Sequence, residues 1–433
     1  MATYLSRDVT RDSGTAITKL TFSAWIKRSK LGEAEIFNAY QLSSYYTDFY
    51  FDSSDRLNLY SWIGSSEQIW VQGHKKFRDV NAWYHIVLSV DTTQSTASDR
   101  VKFYVNGELL TSMNSTVYPS QNSSIGQFND TGAILFVGNS PARTEFLGSM
   151  SHIHYTPYTA YDATPFGETD STTGEWKIKT SPSVTYSSVG WFVLKDGNSV
   201  TDQSGNSNNL SINAGTLTKT EDCPSNVFAT MNALSKSLSN VVLSKGNTIC
   251  RNDASADGNV LGTIALGNGK YYWETYKHGG GNTGLGITLA SVDGSNHSAV
   301  HGSRVNYYQD GYIYQNGFGL SDINTGVTYS DTDIISVSVD TENGTIKFYK
   351  NGVLVNNSSQ TNSVFTYAQN ELIPFWYFSN GGEWRTNFGN GYFGTTAITT
   401  NSGNGYAGAE GASKFNYTVP TGYSALSTKG LNE

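Results

Sequence analysis

One ten-residue stretch occurs twice: VKFYVNGELL at residues 101–110 returns as IKFYKNGVLV at residues 346–355. In both copies apolar and polar side chains alternate before an Asn-Gly pair. Alternation is typical of a β-strand with one buried face, and Asn-Gly is the strongest short signal for a tight hairpin, because both residues tolerate positive φ. Each copy therefore predicts a strand, a tight turn and a returning strand.

Each copy also follows an alternating strand that ends in Ser-Val-Asp, at residues 89–91 and 338–340. An antiparallel meander with one apolar face must bury that face against a second sheet. The copies lie too far apart for a solenoid, whose repeats recur every ~20–50 residues. Two copies therefore predict two β-sandwiches in one chain.

The length and composition agree with an all-β chain of more than one domain. Its 433 residues predict two or three domains, and only 15% are charged while 44 are glycine, which favours many short strands and turns. We predict an N-terminal attachment segment at residues 1–17, a sandwich at 18–165, an irregular connecting region at 166–261 and a second sandwich at 262–433.

Two segments outside the regular strand pattern carry predictions of their own. Residues 223–244, CPSNVFATMNALSKSLSNVVLS, hold the most plausible helix of the chain. The second sandwich ends in a Gly/Ser/Thr-rich extension that carries Phe415, Tyr417 and Tyr423. We expect these three rings to hold the extension against a sheet.

Charge and hydropathy exclude several classes of partner. A net charge of −8 argues against nucleic acid, because phosphate binding needs a basic surface. The sequence contains no apolar run of the ~18–20 residues that a membrane span needs, and its start lacks a signal peptide, so we expect a soluble protein outside the usual secretory route. Two reduced thiols at Cys223 and Cys250 are favoured, with pairing left open.

Catalytic motifs are scarce. The nearest match to the paired carboxylates of a glycanase is Glu33-Ala-Glu35. Alternation places both side chains on one face of a strand, but no third acid follows them. We therefore favour the interpretation that these two residues lie at a solvated strand edge. The sequence has no Gly-X-Ser-X-Gly elbow, and its glycine-rich GNGK lacks phosphate-loop spacing. The chain is predicted not to be an enzyme.

Two sets of stretches resemble known families. LTFSAWIKRS, WYHIVLSVD, VKFYVNGELL, ILFVGNS and FLGSMSHIHYTP resemble, in order, the laminin-G-like jelly roll of the concanavalin A type. GKYYWE, GLGI, YQDGYIYQNG, DIISVSVDTENGTIKFYKNG and IPFWYFSNGGEWRTNFG resemble a SPRY domain. The two resemblances cover residues 15–165 and 262–392, and both imply a two-sheet antiparallel sandwich, so we predict a jelly roll plus a SPRY-like sandwich.

The order of these parts carries a further resemblance. A jelly roll, the joining motifs DQSGNSNNLS and DCPSNVFATMNAL, a SPRY domain and a closing FNYTVPTGYSAL are similar to fibre and appendage proteins of tailed-phage virions. This resemblance implies a non-enzymatic structural and adhesive virion protein, made in the host cytoplasm and exposed on the particle. It implies a host-surface glycan or protein as target, and as partners other virion proteins, reached through residues 1–17, and further copies of the chain, for instance in a trimer. The alternative is a free carbohydrate-binding, lectin-like protein of a bacterium.

Candidate binding residues follow from the same reasoning. Aromatic rings at loop tips stack on sugars, and the segment PFWYFSNGGEW matches by position a partner-binding loop of SPRY domains. Laminin-G-like domains often hold calcium at the sandwich rim with Asp oxygens, and no other cofactor is expected. Core positions for the rings, and ordinary acidic loops for the Asp residues, are the alternatives. The candidates are Tyr45, Tyr46, Tyr307, Tyr308, Trp376 and Trp384 for ligand and Asp91, Asp99 and Asp130 for calcium.

Overall fold

The chain forms two compact units, each with its own hydrophobic core, Met1–Lys219 and Thr220–Glu433. Strands dominate both units, and the prediction of an all-β chain with two antiparallel β-sandwiches is confirmed. Within the residues described, no helix is long and apolar enough to cross a membrane. This computed structural model describes residues 3–9, 16–130, 132–179, 181–195, 199–237, 240–317, 320–355, 363–364, 372–399 and 405–432.

The first unit consists of two large sheets and a small hairpin. Its strands are β1 (Tyr4–Asp8), β2 (Lys19–Arg28), β3 (Ala34–Leu42), β4 (Tyr45–Phe51), β5 (Arg56–Ile63), β6 (Ser66–Lys76), β7 (Trp83–Asp91), β8 (Val101–Val105), β9 (Glu108–Leu109), β10 (Met113–Val117), β11 (Ile134–Val137), β12 (Gly148–Pro157), β13 (Gly167–Thr169), β14 (Trp176–Ile178), β15 (Trp191–Val193) and β16 (Ser211–Ala214). The eight-stranded sheet has the order β10-β6-β5-β4-β3-β11-β1-β16, the six-stranded sheet has the order β15-β12-β2-β7-β8-β9, and β13 pairs with β14. Short 3₁₀ turns lie at Ala97–Asp99 and Gly126–Asn129.

Aromatic pairs join the two sheets of this unit. Phe22 on β2 stacks on Phe37 on β3 with ring centroids 4.3 Å apart, and Phe49 on β4 contacts Phe103 on β8 at 5.7 Å. All four rings are fully buried. Such offset contacts add ~0.5–1.5 kcal/mol per pair to the burial of apolar area, so they fix how the sheets pack.

The predicted attachment segment is part of this sandwich. Strand β1 pairs with β11 on one side and with β16 on the other, and Leu5 is 3% exposed. Ile17 is fully buried in the same core, while residues 1–2 and 10–15 lie outside the described part of the chain. Both edges of β1 are hydrogen-bonded, so residues 4–8 belong to the sheet of the first sandwich; the attachment role of residues 1–17 stays a prediction.

The second unit has the same two-layer construction. Its elements are β17 (Met231–Lys236), β18 (Val241–Ser244), β19 (Ile249–Asn252), β20 (Gly258–Gly262), β21 (Lys270–His278), β22 (Asn282–Leu289), α1 (His297–His301), β23 (Arg304–Tyr308), β24 (Tyr312–Asn316), β25 (Ile323–Asn324), β26 (Ile334–Asp340), β27 (Thr345–Lys350), β28 (Val353–Leu354), β29 (Ser363–Val364), β30 (Leu372–Ser379), β31 (Glu383–Asn387), β32 (Tyr392–Phe393), β33 (Thr396–Ala397) and β34 (Ser424–Ala425). One sheet has the order β17-β20-β30-β22-β23-β24-β25 and the other has the order β18-β19-β31-β21-β26-β27-β28, with β29 beside β27 and β34 beside β21. Strands β32 and β33 form a hairpin, and a 3₁₀ turn lies at Gly430–Asn432.

The residues predicted as a connecting region are shared between the two units. Residues up to 219 add β13 to β16 to the first sandwich, where Trp191 is fully buried, and the remainder adds β17 to β20 to the second. The helix candidate within residues 223–244 does not form a helix, because this segment contains β17 and β18. Both strands find sheet partners in β20 and β19, and these pairings override the weak helical pattern.

Both cysteines lie in the second unit and are unpaired. Cys250 is fully buried on β19, and this burial raises the pKa of its thiol well above the usual value. Cys223 is half-buried. A buried thiol with a raised pKa is chemically inert, so Cys250 acts as a small core residue.

The C-terminal extension folds back onto the second sandwich, as the sequence predicts. Phe415 is fully buried and meets Tyr272 edge-on at 4.9 Å, and Tyr423 packs against the core. The carboxyl group of Glu274 on β21 accepts the backbone N–H groups of Asn416 at 2.7 Å and of Tyr417 at 2.8 Å. This buried carboxyl group is therefore the polar anchor of the extension.

The repeated decapeptide forms the same turn in both units. Asn106 and Gly107 have φ of 49° and 86°, and Asn351 and Gly352 have φ of 51° and 79°. Each Asn side chain accepts a backbone N–H, from residue 85 at 2.8 Å and from residue 334 at 2.9 Å. An aromatic ring covers each glycine, and an added Cβ atom would lie 2.6 Å from Trp176 in the first turn and 2.6 Å from Tyr417 in the second.

We predict that Gly107→Ala destabilises the protein more than Gly174→Ala does. Both glycines have positive φ, but no heavy atom lies within 4 Å of a Cβ at Gly174. The control should therefore lose only the ~1–2 kcal/mol of left-handed backbone strain, and Gly107→Ala a further ~1–3 kcal/mol from the clash with Trp176. Urea unfolding of both variants measures the difference, and equal losses would contradict the packing of Trp176 on the turn.

We predict a pH dependence from Glu274. Burial raises the pKa of Glu274 to about 7 from its usual 4.5, although the N–H groups of Asn416 and Tyr417 oppose this rise. A raised folded-state pKa means that its contribution to stability is complete below about pH 4.5 and is lost as the pH rises through 7, by about 3 kcal/mol. Calorimetry of the full chain from pH 5 to 8 should show this loss, and Glu274→Gln should flatten it. The exposed Glu342→Gln is the control, and an unchanged slope in Glu274→Gln would refute the assignment.

Candidate functional site

Aromatic side chains cover part of the outer face of the eight-stranded sheet. On β4, Thr47, Phe49 and Phe51 point into the core, so Tyr46 points outward. The sheet register places Tyr40 and Trp62 on either side of it. On the next row, Tyr60 pairs with Trp70. We call this surface the tyrosine face and define it by Tyr40, Tyr46, Tyr60, Trp62 and Trp70.

The rings of the tyrosine face form a shallow row. The centroids of Tyr40 and Tyr46 are 6.5 Å apart with planes 25° apart, and Tyr60 follows 6.2 Å from Tyr46. Trp70 is 37% exposed and the others are half-buried, so the rings are fixed by the sheet and still reach solvent. Rings held in this way present apolar faces on which a pyranose can stack.

A buried polar cluster lies beside these rings on the same face. Asn38, Asp48 and Tyr60 are in register on β3, β4 and β5, and Glu35 is opposite Tyr50. The side chains of Glu35, Asn38 and Asp48 are fully buried. The sheet therefore carries two carboxyl groups under its aromatic surface.

Arg143 closes this cluster. Its Nε donates to Asp48 Oδ2 at 2.7 Å, and Nη1 lies 3.4 Å from Glu33 Oε2. Its guanidinium lies 3.5 Å from the centroid of the Tyr50 ring. The segment that carries Arg143 is itself hydrogen-bonded to the sheet, because the carbonyl of residue 144 accepts the N–H of Glu35 at 2.8 Å.

Burial dominates the electrostatics of the cluster. It raises the pKa of Asp48 to about 6, against the attraction of Arg143, and it raises the pKa of Glu35 well above the usual value, with Asp48 adding to the rise. Neither carboxyl oxygen of Glu35 has a hydrogen-bond partner. Glu35 is thus held as a neutral acid at moderate pH.

The expectation of a solvated edge at Glu33-Ala-Glu35 is therefore wrong for Glu35. The register of β3 shifts between Glu35 and Phe37, and the segment with Arg143 covers the carboxyl group. Glu33 remains partly exposed and pairs with Arg143. Two acids with raised pKa values resemble a catalytic pair, but both are fully buried and touch no solvent in this arrangement.

Of the six ligand-binding candidates, the structure brings one to this face. Tyr46 lies at its centre, while Tyr45, at the first position of β4, is 36% exposed beside Ile63 and Leu42. Sequence reasoning missed Tyr40, Tyr60, Trp62 and Trp70. The available signal was the alternation in NAYQ and LYSW, but only the strand register shows that these rings are neighbours.

Three candidates in the second unit are core residues, which corrects their prediction as binding residues. Tyr307, Trp376 and Trp384 are fully buried, and the Tyr307 ring contacts Phe348 at 5.6 Å across the sandwich. The alternation of apolar and polar residues predicts their strands correctly, but these three side chains point into the core. Tyr308, the next residue along β23, is half-buried on the outer face.

The calcium candidates do not form a site. Asp91 is paired with Lys19 at 3.2 Å, Asp99 is paired with Lys102 at 3.2 Å, and Asp130 is exposed after a 3₁₀ turn. Within the part of the chain that the structure describes, no three His, Cys, Asp or Glu residues converge to hold a metal ion. Two of the three carboxylates are therefore engaged in ion pairs, and calcium binding at these residues stays a prediction.

Both sandwiches match known families. Residues 6–160 match a laminin-G model of the Concanavalin A-like lectin/glucanases superfamily, and residues 270–391 match the SPRY domain. The resemblances predicted for the two halves are thereby confirmed. No curated protein matches the chain.

Solved structures similar to the chain come from several organisms. The SPRY domain of human HERC1 is 22% identical with a TM-score of 0.28, over 36% of this chain and 94% of that one. A heptameric SAP-like pentraxin from Limulus polyphemus is 19% identical with a TM-score of 0.25, over 35% and 69%. Domain 4 of the arabinanase AbnA from Geobacillus stearothermophilus, solved with arabinotriose, is 18% identical with a TM-score of 0.27, over 36% and 67%.

We predict that Arg143→Ala destabilises the first sandwich by ~3–5 kcal/mol, because it leaves Asp48 buried without its cation. Lys102→Ala removes a half-exposed ion pair and should cost less than ~1 kcal/mol. Urea unfolding at neutral pH measures both losses.

A second substitution separates charge from packing at this cluster. Asp48→Asn added to Arg143→Ala removes the unpaired charge and should recover part of the loss. No recovery, or a loss no larger than that of Lys102→Ala, would show that the pair with Asp48 contributes little.

Proposed function

We propose that the chain is a non-enzymatic structural and adhesive virion protein that binds a host-surface glycan through the tyrosine face. The domains themselves, a concanavalin A-like sandwich and a SPRY sandwich, fit a binding role. The observation that carries the proposal is the row of solvent-reaching rings at Tyr40, Tyr46 and Tyr60 on a rigid sheet. The order of sequence motifs supports a place on a tail or capsid fibre, appendage or decoration.

The geometry suits weak contacts that are repeated many times. A shallow aromatic row stacks on sugar rings without enclosing them, which gives low affinity for each site. Copies arranged on one particle raise the overall avidity by ~10²–10⁴ without any new contact. A rigid, sparsely charged sandwich with its turns fixed is a suitable carrier for such a surface.

The buried acids support a role without catalysis. A general acid must come within hydrogen-bonding reach of the bond that it protonates. Glu35 and Asp48 are fully buried beneath Arg143 and Tyr50, and Asp48 is already bonded to Arg143. Their role in this proposal is to hold Arg143 and the edge of the tyrosine face in place.

We also propose other virion proteins and further copies of the chain as assembly partners. Because β1 is paired on both sides, such contacts would use folded surfaces rather than a free N-terminal arm. Electron microscopy of purified particles with a labelled antibody tests the location. Absence of the label from particles would favour a free lectin-like protein instead.

We predict that Tyr46→Ala and Tyr60→Ala each weaken binding to host glycans by about tenfold or more, which corresponds to ~1.4 kcal/mol. Each change removes a stacking ring from the exposed side of the sheet and leaves the core intact. A glycan array followed by titration of the strongest hit measures the loss. Tyr392→Ala, at a half-buried tyrosine of the other unit, is the control. Equal binding by all three variants would refute the tyrosine face as the site.

A further inference from the structure

Arg304 is a buried arginine without an anion in the second unit. It is 4% exposed on the outer face of the seven-stranded sheet, at the start of β23 and in register with Asn316 on β24. Its Nε and Nη1 atoms have no hydrogen-bond partner. Among carboxylates Asp322 attracts it, more weakly than the neighbouring tyrosines do. Burial lowers the pKa of Arg304 to about 10, so it is still charged at neutral pH.

Two arginines of the first unit, the buried Arg28 and the partly buried Arg143, are arranged differently. Arg28 lies 3.1 Å from Asp55, and Arg143 lies 2.7 Å from Asp48. Such pairing is usual, because a buried charge without a partner costs several kcal/mol. At Arg304 the compensation comes from aromatic rings, with the Tyr377 centroid at 5.4 Å and the Tyr314 centroid at 5.6 Å, and such contacts are weaker than a buried ion pair.

Further unsatisfied polar atoms lie next to this arginine. Asn306, two positions along β23 on the same face, is fully buried, and neither its Oδ1 nor its Nδ2 has a partner. Its neighbour in register on β22 is Gly286, and its amide packs over Gly284, where an added Cβ atom would lie 2.6 Å from Nδ2. Tyr308 completes the group, with its ring 5.8 Å from Tyr314 and 5.8 Å from Tyr377. We call Arg304, Asn306, Tyr308, Tyr314 and Tyr377 the arginine cluster.

The arginine cluster carries one positive charge. Burial and the nearby Arg304 lower the pKa of His301 to about 4, so its imidazole is neutral at pH 7, and the pKa of His297 is also lowered. The surrounding carboxylates have other partners: Asp310 accepts the Tyr314 hydroxyl at 2.8 Å, Asp257 is bonded to the Tyr377 hydroxyl, and Asp322 accepts the backbone N–H of Gln315 at 2.9 Å. Of these, Asp322 attracts Arg304 electrostatically. A monoanionic ligand would give Arg304 the direct ion pair that these carboxylates do not form with it.

We propose that the arginine cluster binds the carboxylate of an acidic sugar, such as a uronic acid residue. A planar guanidinium has a fork of N–H donors that matches the two oxygens of a carboxylate. The single positive charge of Arg304 pairs with the single negative charge of such a group. The tyrosine rings offer an apolar surface for the pyranose, and the Asn306 amide offers a donor and an acceptor for hydroxyl groups. The inference rests on the proposed glycan-binding role only in taking the ligand to be a sugar.

The test is a titration of the full chain with sodium glucuronate, followed by NMR or calorimetry. We expect glucuronate to bind, glucose to bind at least about tenfold more weakly, and Arg304→Gln and Arg304→Lys both to lose about tenfold or more. Arg304→Lys keeps the charge but lacks the planar fork. Arg251→Gln, at an exposed arginine paired with Asp253 in the same unit, should bind like the parent protein.

Thermal unfolding of the variants shows whether a loss of glucuronate binding results from a loss of folding. Because Arg304 is an unpaired buried charge, Arg304→Gln should leave the unfolding midpoint of the free protein unchanged or raise it. A lowered midpoint would show that Arg304 serves the fold, and would overturn the proposal. Unaltered glucuronate binding by Arg304→Gln, or equally tight binding of N-acetylaspartate, would overturn it too, the latter because the site would then select any carboxylate.

The two proposed sites fail separately. If Tyr46→Ala abolishes host-glycan binding while Arg304→Gln has no effect on glucuronate, the tyrosine face stands and the arginine cluster falls. If glucuronate binding depends on Arg304 while Tyr46→Ala leaves host-glycan binding intact, the tyrosine face falls and the arginine cluster stands.

Discussion

Each strand of this protein must bury alternate side chains between two sheets, and everything else depends on that division. Phe22 against Phe37 in one unit, and Tyr307 against Phe348 in the other, join the layers from the inside. The outward positions do not take part in this packing between the two sheets. In both units these positions hold aromatic rings around a buried charge, and this chemistry supports a binding role.

The two buried charges show how burial is compensated in different ways. Arg143 is paired with Asp48 and lies against Tyr50, so its position is over-determined and the nearby acids become part of the scaffold. Arg304 has rings and no anion, so part of its hydrogen-bonding capacity is left unused. The two arginines therefore differ in whether a carboxylate is paired with them, and this contrast is the basis for assigning the two clusters different roles.

How far the sequence predicts the molecule depends on how local each feature is. The Asn106-Gly107 turn needs only the preferences of its own residues, and it forms as predicted. Alternation locates strands, but it does not show which set of alternate side chains faces the core. For that reason Trp376 is a candidate for ligand binding in the sequence, whereas the structure places it in the core. The tyrosine face and the burial of Glu35 depend on strand register and on Arg143, over a hundred residues away, and a single sequence carries no signal for either.

The position of β1 sets the order in which the first sandwich can be completed during synthesis. Its partners are β11 and β16, and the residue that pairs with Tyr4 is Ala214. A ribosome must therefore release more than two hundred residues before this edge of the sheet closes, and contacts of such long range slow folding. Until then the outer edge of β1, which β16 covers in the finished sheet, stays unpaired, and this makes chaperone binding during translation valuable to this protein.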